Sequence, residues 1–206
     1  VKKIADSFEV ECFDVLTGFK HIASKIKDLE GIKEYIGGGE ESFGYLIGDF
    51  VRDKDSVSAC CILAEMVVWA KETHTSLYDF LLQMYTQYGF FLEKQVSITR
   101  KGKTGTEEIQ QMMHTFRTNP PIALDNDEVV EVIDYLETEK TNLPKSNVLQ
   151  YLLKSGSKVS VRPSGTEPKI KFYFSITFPM QNKEEYEHLQ EQASQKIERI
   201  KTQLGL

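Results

Sequence analysis

Between Asp55 and Lys71 apolar side chains occupy nearly every face of a helical wheel: Val57, Cys60, Cys61, Ile62, Leu63, Met66, Val67 and Trp69. A helix on the surface of a globular protein keeps a polar face, so this one is predicted to lie buried against a sheet. Glu65 is its polar intruder and is expected to face outward. The apolar run Ala59–Ala70 is too short to span a bilayer. The rest of the chain therefore has to provide strands, and 206 residues are enough for one or two domains with cores of their own. A hydrophobic share of 40% beside 27% charged residues fits ordinary globular composition and argues against disorder.

Upstream of that helix, Val10, Cys12, Phe13, Val15 and Leu16 make Phe8–Phe19 read as an extended strand. Thr17-Gly18 then turns the chain, and Phe19, Ile22, Ala23 and Ile26 recur at helical spacing until Gly31 stops them. A short extended piece, Tyr35-Ile36, runs into a glycine loop, Gly37-Gly38-Gly39, with Phe43–Ile47 resuming as a strand or loop edge. Ser76 and Asp79 have the spacing of a capping box for a helix carrying Leu77, Phe80, Leu81, Met84, Tyr85 and Tyr88. Phe90–Thr99 reads as a strand, and the basic, turn-rich Arg100-Lys101-Gly102-Lys103 marks a domain junction, giving domains of 1–95 and 96–206.

The second part has a different rhythm. Thr104 and Glu107 are placed to cap a helix with Ile109, Met112, Met113 and Phe116 on one face, closing before Asn119-Pro120-Pro121. Extended runs follow at Val129–Tyr135, Val148–Leu153, Lys158–Arg162 and Lys169–Thr177. Asn182 with Glu185 opens a last helix, whose apolar stripe is Tyr186, Leu189, Ala193, Ile197, Ile200 and Leu204, with Gly205 just past its end. Strands flanked by two helices indicate an α+β domain after an α/β one.

Charge and cysteine content narrow the function classes. The balance of 25 Lys+Arg against 31 Asp+Glu, net −6, offers no broad basic surface, so neither nucleic acid nor a membrane is expected as partner. Cys12, Cys60 and Cys61 are odd in number, include no C-x-x-C and contain an adjacent pair, which suits neither a disulfide framework nor a zinc site. A reducing compartment follows, and with no charged-then-apolar leader the cytoplasm is the expected location. The opening Val-Lys-Lys-Ile-Ala reads as the interior of an amphipathic helix, so the chain is expected to be a fragment of a longer protein.

Two segments carry chemistry. In Arg162-Pro163-Ser164-Gly165-Thr166-Glu167-Pro168-Lys169, a guanidinium fork, two hydroxyls and a glycine backbone are what an oxyanion requires. Local composition equally allows a plain β-hairpin in which Pro, Ser and Gly are turn residues. In Gly37-Gly38-Gly39-Glu40-Glu41-Ser42-Phe43-Gly44-Tyr45, glycines permit close approach while carboxylates and a hydroxyl suit neutral polyols. Taken alone, that segment reads as a glycine-rich connection with solvated acids. Adjacent Glu40 and Glu41 diverge and no His or Asp stands at a helpful spacing, so no metal site is expected. Gly102-Lys103-Thr104 fails as a P-loop end because Ser97 occupies the first-glycine position.

In this order, the two loops resemble those of the third and fourth domains of the α-D-phosphohexomutases, the phosphoglucomutase/phosphomannomutase family. Gly39-Glu40-Glu41-Ser42 is similar to the family's sugar-recognition loop, and Arg162-Pro163-Ser164-Gly165-Thr166 to its phosphate-binding loop. Leu16-Thr17-Gly18-Phe19-Lys20 resembles the segment whose lysine enters the active site, and Gly48–Asp55 the stretch before the buried helix of the third domain. The resemblance implies a partial mixed-sheet α/β domain 3 over 1–95, its first strand missing. Over 96–206 it implies a TATA-box-binding-protein-like α+β domain 4, an antiparallel sheet with two helices.

It further implies a parent enzyme that interconverts hexose 1-phosphate and hexose 6-phosphate through a phosphoserine and a bisphosphorylated sugar. Gly39, Glu40, Glu41 and Ser42 would hold sugar hydroxyls, while Arg162, Ser164, Gly165, Thr166 and Lys171 would hold phosphate. Lys20 would orient the reacting end or assist proton transfer. The family's phosphoserine loop and its D-G-D-x-D-R magnesium loop do not occur in this sequence. Mg2+ is accordingly expected in the parent with ligands outside this chain, hexose 1,6-bisphosphate as activator and intermediate, and N-terminal domains 1 and 2 as partners. A free-standing phosphosugar-binding or regulatory module is the alternative.

Overall fold

Phe19, Ile26 and Leu46 are the buried side chains around which the beginning of the chain closes, with Ile22 and Tyr35 packed against them. The computed structural model describes residues 1–41, 43–100, 102 and 104–206. It divides into two units, Val1–Leu81 and Leu82–Leu206. The first contains α1 (Lys2–Ser7), α2 (Phe19–Leu29), a hairpin of β1 (Gly37–Gly39) and β2 (Tyr45–Ile47), α3 (Ser56–Glu72) and the start of α4 (Leu77–Tyr88). Phe19 and Ile26 lie seven residues apart, two turns on one face of α2, and so both reach the same core.

Three expectations for this unit are corrected. Residues 10–16 form no strand, because an extended run becomes one only when a neighbour completes its ladder, and no described strand lies beside it. The glycine run is not a loop after a strand but the strand itself, antiparallel to β2 in the register Gly37↔Ile47, Gly38↔Leu46 and Gly39↔Tyr45. The helix expected to be buried does form, with the Asp55 carboxylate accepting from the Val57 and Ser58 N–H groups at 3.1 Å each. Yet within it only Ala70 is buried; Val57 is 70% and Trp69 45% exposed. The reason is dimensional: 17 residues of helix extend about 25 Å, and three-residue strands only about 10 Å. Ser76 caps the start of α4 as predicted, its hydroxyl accepting from the Asp79 N–H at 3.0 Å, while the Asp79 carboxylate takes the Ser76 hydroxyl proton at 2.7 Å.

The second unit holds β3 (Phe90–Thr99), α5 (Gly105–Thr118), β4 (Ala123–Leu124), β5 (Asp127–Asp134), α6 (Thr138–Thr141), β6 (Leu149–Leu153), β7 (Lys158–Pro163), β8 (Lys169–Phe178), a 3-10 turn at Lys183–Glu185 and α7 (Tyr186–Leu204). Its strands make one antiparallel sheet in the order β3-β8-β7-β6-β5-β4. β3 pairs with β8 from Phe90↔Phe178 to Thr99↔Lys169. Val159, Val161, Phe172, Phe174 and Ile176 join Ile109 and Met113 of α5 and Leu189, Ala193, Ile197 and Ile200 of α7 in one buried cluster. Both helices therefore cover one face of the sheet, the α+β arrangement the strand and helix pattern predicts. The Tyr151 hydroxyl donates to the Phe116 carbonyl at 2.9 Å, and burial pushes its pKa up to about 12. Thr104 does not cap α5: its own backbone is already helical (φ −79, ψ −15), so its hydroxyl cannot reach back to the next turn. No helix among the described residues is long and apolar enough to cross a membrane.

Candidate functional site

The anion chemistry of the second unit is set by alternation along two strands. Val159 and Val161 are fully buried under the helices, so Ser160 and Arg162 project from the opposite, helix-free face of β7. On β8 the same holds for Lys171 between the buried Ile170 and Phe172. The register pairs Arg162 directly with Lys171. Two cations thus stand side by side at the root of the connecting turn, and among the described residues neither has a carboxylate partner.

The turn itself is tightly tied. The Ser164 N–H donates to the Lys169 carbonyl and the Lys169 N–H to the Glu167 carbonyl, both at 2.7 Å. The Ser164 hydroxyl oxygen accepts from the N–H groups of Thr166 and Glu167 at 3.4 and 3.3 Å, which leaves its proton available to a ligand. A Cβ on Gly165 would meet nothing within 4 Å, so the backbone there faces open space. Glu167, the one acid of the turn, is held by Lys169 at 3.0 Å, away from competition for Arg162.

In the first unit the β1–β2 hairpin presents the acidic loop. The Glu40 N–H donates to the Gly44 carbonyl at 2.9 Å and closes it. Ser42 lies outside the described residues. A Cβ on Gly44 would meet the Lys54 stem and lie 2.8 Å from Glu40 Oε2, so the absent side chain lets carboxylate and lysine gather over the loop. The Asp53 carboxylate bonded to Lys54 Nζ at 2.7 Å raises the pKa of that ammonium, and Glu40 adds to the effect. Lys54 Nζ also lies 5.2 Å from the Phe19 ring centroid, which ties the loop to the start of α2. Glu41 is exposed. Lys20 follows Phe19 in the first turn of α2 and is exposed; among the described residues it makes no ion pair with Glu40 or Glu41.

Residue patterns did not reveal the supports of the Ser164-Gly165-Thr166 turn. Arg117 of α5 binds Asp134 through Nε at 2.6 Å and donates through Nη2 to Asn147 Oδ1 at 2.8 Å. Asn147 in turn lines a cleft with Thr106, Gln110 and Met113 of α5 and with Ser164 and Glu167 of the turn. An arginine on a predicted helix and an asparagine 30 residues later carry no spacing signal, because their contact depends on how α5 lies across the sheet.

An α+β unit with a basic hairpin turn, following a unit with an acidic glycine hairpin, is the pair of domains that one enzyme family carries in this order. The family profile described as "Phosphoglucomutase/phosphomannomutase, alpha/beta/alpha domain III" matches residues 1–88, and the one described as "Phosphoglucomutase/phosphomannomutase, C-terminal domain" matches residues 95–192. The chain belongs to the phosphoglucomutase/phosphomannomutase family. It is 37% identical over 186 residues to a phosphoglucomutase of Staphylococcus haemolyticus, covering 85% of this chain and 34% of the relative. To a phosphoglucomutase of Staphylococcus aureus strain USA300 it is 38% identical over 188 residues, covering 86% and 34%. Among solved structures, the open form of the Paramecium phosphoprotein pp63/parafusin, titled a phosphoglucomutase, matches with a TM-score of 0.64 at 20% identity, over 87% of this chain and 32% of that one. The chain thus spans about a third of the length of the relatives it matches.

Proposed function

We propose that the chain is the C-terminal, substrate-binding portion of a phosphohexomutase, an enzyme that interconverts hexose 1-phosphate and hexose 6-phosphate. The observation that carries this reading is the cross-strand pair Arg162–Lys171, two cations that among the described residues have no carboxylate partner, at the root of the Ser164-Gly165-Thr166 turn. Phosphate takes the guanidinium fork, the ammonium, the Ser164 hydroxyl and the backbone N–H groups that face open space at Gly165. The acidic hairpin offers Glu40 and Glu41, groups suited to hydroxyls and not to phosphate. The two chemistries that a hexose phosphate requires are thus both present on this chain.

In the reaction so proposed, a phosphoserine gives its phosphoryl group to the sugar, the bisphosphorylated sugar turns end for end, and the other phosphate returns to the serine. Binding groups have to accept both orientations of the sugar. Groups that address hydroxyls at one loop and a phosphate at another do so without contacting the reacting end. Among the described residues no three His, Cys, Asp or Glu side chains converge. In this reading the phosphoserine and the metal are supplied from outside these 206 residues, and the exposed apolar side chains of α3 are offered as a surface for the domains that carry them.

Titration calorimetry with inorganic phosphate and with glucose 6-phosphate tests the reading. Both should bind weakly, Arg162→Ala should weaken both by at least about tenfold, and the purified chain should show no conversion of glucose 1-phosphate to glucose 6-phosphate. Absence of binding by the unmutated chain, or binding indifferent to Arg162→Ala, would overturn it; turnover by the chain alone would overturn the assignment of the chemistry to other domains.

A further inference from the structure

We propose that Phe43 is a sugar-contact residue whose ring takes the C–H face of the hexose, an inference that rests on the reading of the β1–β2 loop as the sugar-binding loop. Phe43 has φ +66, in the left-handed region that bulky side chains avoid. Of the other non-glycine residues at positive φ, Asp125, Asn126, Asn142 and His74 are of types that tolerate it in turns, and Glu9, at φ +56, is an exposed charged side chain that water solvates. A phenyl ring gains nothing comparable from its own backbone. It is also 87% exposed, so its packing removes almost no apolar surface from water. An unfavourable backbone conformation and a ring left almost wholly in water mark a side chain held ready for a ligand.

Its neighbours define the class of ligand. Immediately after it, Gly44 leaves room for Glu40 Oε2 and the Lys54 stem. Tyr45, half-exposed, lays its ring over Gly39, where a Cβ would come within 2.5 Å of the ring. Exposed rings beside a carboxylate suit a molecule that is apolar on one side and hydroxylated at its edge. A pyranose is such a molecule: its axial C–H groups pack on a phenyl face while its equatorial hydroxyls reach carboxylates. Bare phosphate has no C–H face and is repelled by Glu40. The phenyl ring can neither give nor take a proton, so the role is in binding and in selecting the ring face, not in catalysis.

The test is saturation-transfer NMR on the full chain with α-D-glucose 1-phosphate, irradiating aromatic protein protons and reading the sugar C–H signals, with the 31P shift of the ligand read in parallel. In the unmutated chain, saturation should reach the sugar C–H protons. Phe43→Gly should lose most of it and weaken binding on the order of fivefold, while the 31P shift at saturating ligand persists. Glycine is favoured at this φ, so Phe43→Gly is expected to fold, and thermal unfolding monitors that. Sugar saturation and affinity retained in Phe43→Gly, or no sugar saturation in the unmutated chain despite a 31P shift, overturns the role of Phe43 and leaves the phosphate site standing. A 31P resonance that the unmutated chain does not move overturns both.

Discussion

Arg162 and Lys171 face the same way because each sits one residue from a buried neighbour, Val161 and Phe172, on paired strands. Arg162 was singled out from its Ser-Gly-Thr context and Lys171 from the family resemblance; that the two stand opposite each other follows only from the register. The difference between the two side chains is testable. Arg162→Lys keeps the charge but replaces a planar fork by a point charge, so phosphate affinity should fall by several-fold, less than in Arg162→Ala. The effect should persist at high salt, because the loss is of geometry and not of screened attraction. An Arg162→Lys chain that titrates like the unmutated one would show that the site reads charge alone. Phe43 is the opposite case, since nothing in its sequence context reveals a positive φ. Phe43→Gly should raise the stability of the chain by about 1 kcal/mol, read as a higher midpoint in urea, while sugar contact is lost. A midpoint that falls would mean that the ring is structural.

At the scale of elements, strands were readable wherever one face meets a core. Phe90–Thr99 has the predicted bounds, and β6, β7 and the first half of β8 alternate as their sequences imply, because the helices above them exclude water from every second residue, whereas Phe174–Thr177 of β8 are buried on both faces. Where no neighbouring element exists the pattern misleads: residues 10–16 have strand composition and no ladder, and α3 has core composition and little cover. The last helix hid a different surprise. Lys196 lies beside the predicted stripe and is itself buried, its Nζ donating to the Asp127 carboxylate at 2.6 Å. The Ser155 hydroxyl donates to the same carboxylate at 2.5 Å and accepts from the buried Ser157 hydroxyl at 2.8 Å, joining β5, the β6–β7 turn and α7. Burial pushes the Asp127 pKa up, but the bonds from Lys196 and Ser155 outweigh it and hold the carboxyl below its ordinary value of 3.8. A depressed folded pKa contributes stability that is complete above about pH 4 and is lost as pH falls through the folded value. Lys196→Met leaves a largely buried carboxylate without its cation, and should cost about 3 kcal/mol at neutral pH. The variant should also lose less on acidification between pH 4 and pH 2 than the unmutated chain. Parallel acid profiles in urea unfolding would sink the assignment of that acid step to this pair.

For the whole molecule, the distribution of buried apolar residues matters more than their total. The turn-rich junction at Arg100–Lys103 led to an expected boundary between residues 95 and 96, and the structure divides into Val1–Leu81 and Leu82–Leu206; the inequality of the parts was not legible. One core gathers Tyr151, Phe172, Phe174, Ile197 and their neighbours between a six-stranded sheet and two helices; the other has Phe19, Ile26 and Leu46. Local stability follows buried contacts, so the two units should open with very different free energies. Hydrogen exchange on the intact chain measures this by segment. Amides of β7 and β8, paired on both sides beneath a fully buried cluster, should exchange only through global unfolding of their unit, over hours to days at neutral pH. Amides of β1 and β2, a hairpin of three-residue strands, should exchange within minutes. Those of α3 should fall between, protected by helical bonds but little by packing. Trp69, the one tryptophan, provides an optical check. It meets Phe80 edge-on at 5.1 Å yet is 45% exposed, so its emission should be readily quenched by acrylamide. If preceding domains cover α3 as proposed, the same tryptophan in a polypeptide of the relatives' full length should be blue-shifted and several-fold less quenchable, and β1–β2 should exchange more slowly. Protection of β1–β2 equal to that of β7–β8 in the 206-residue chain would show that the first unit draws its stability from within, and α3 would then need no cover.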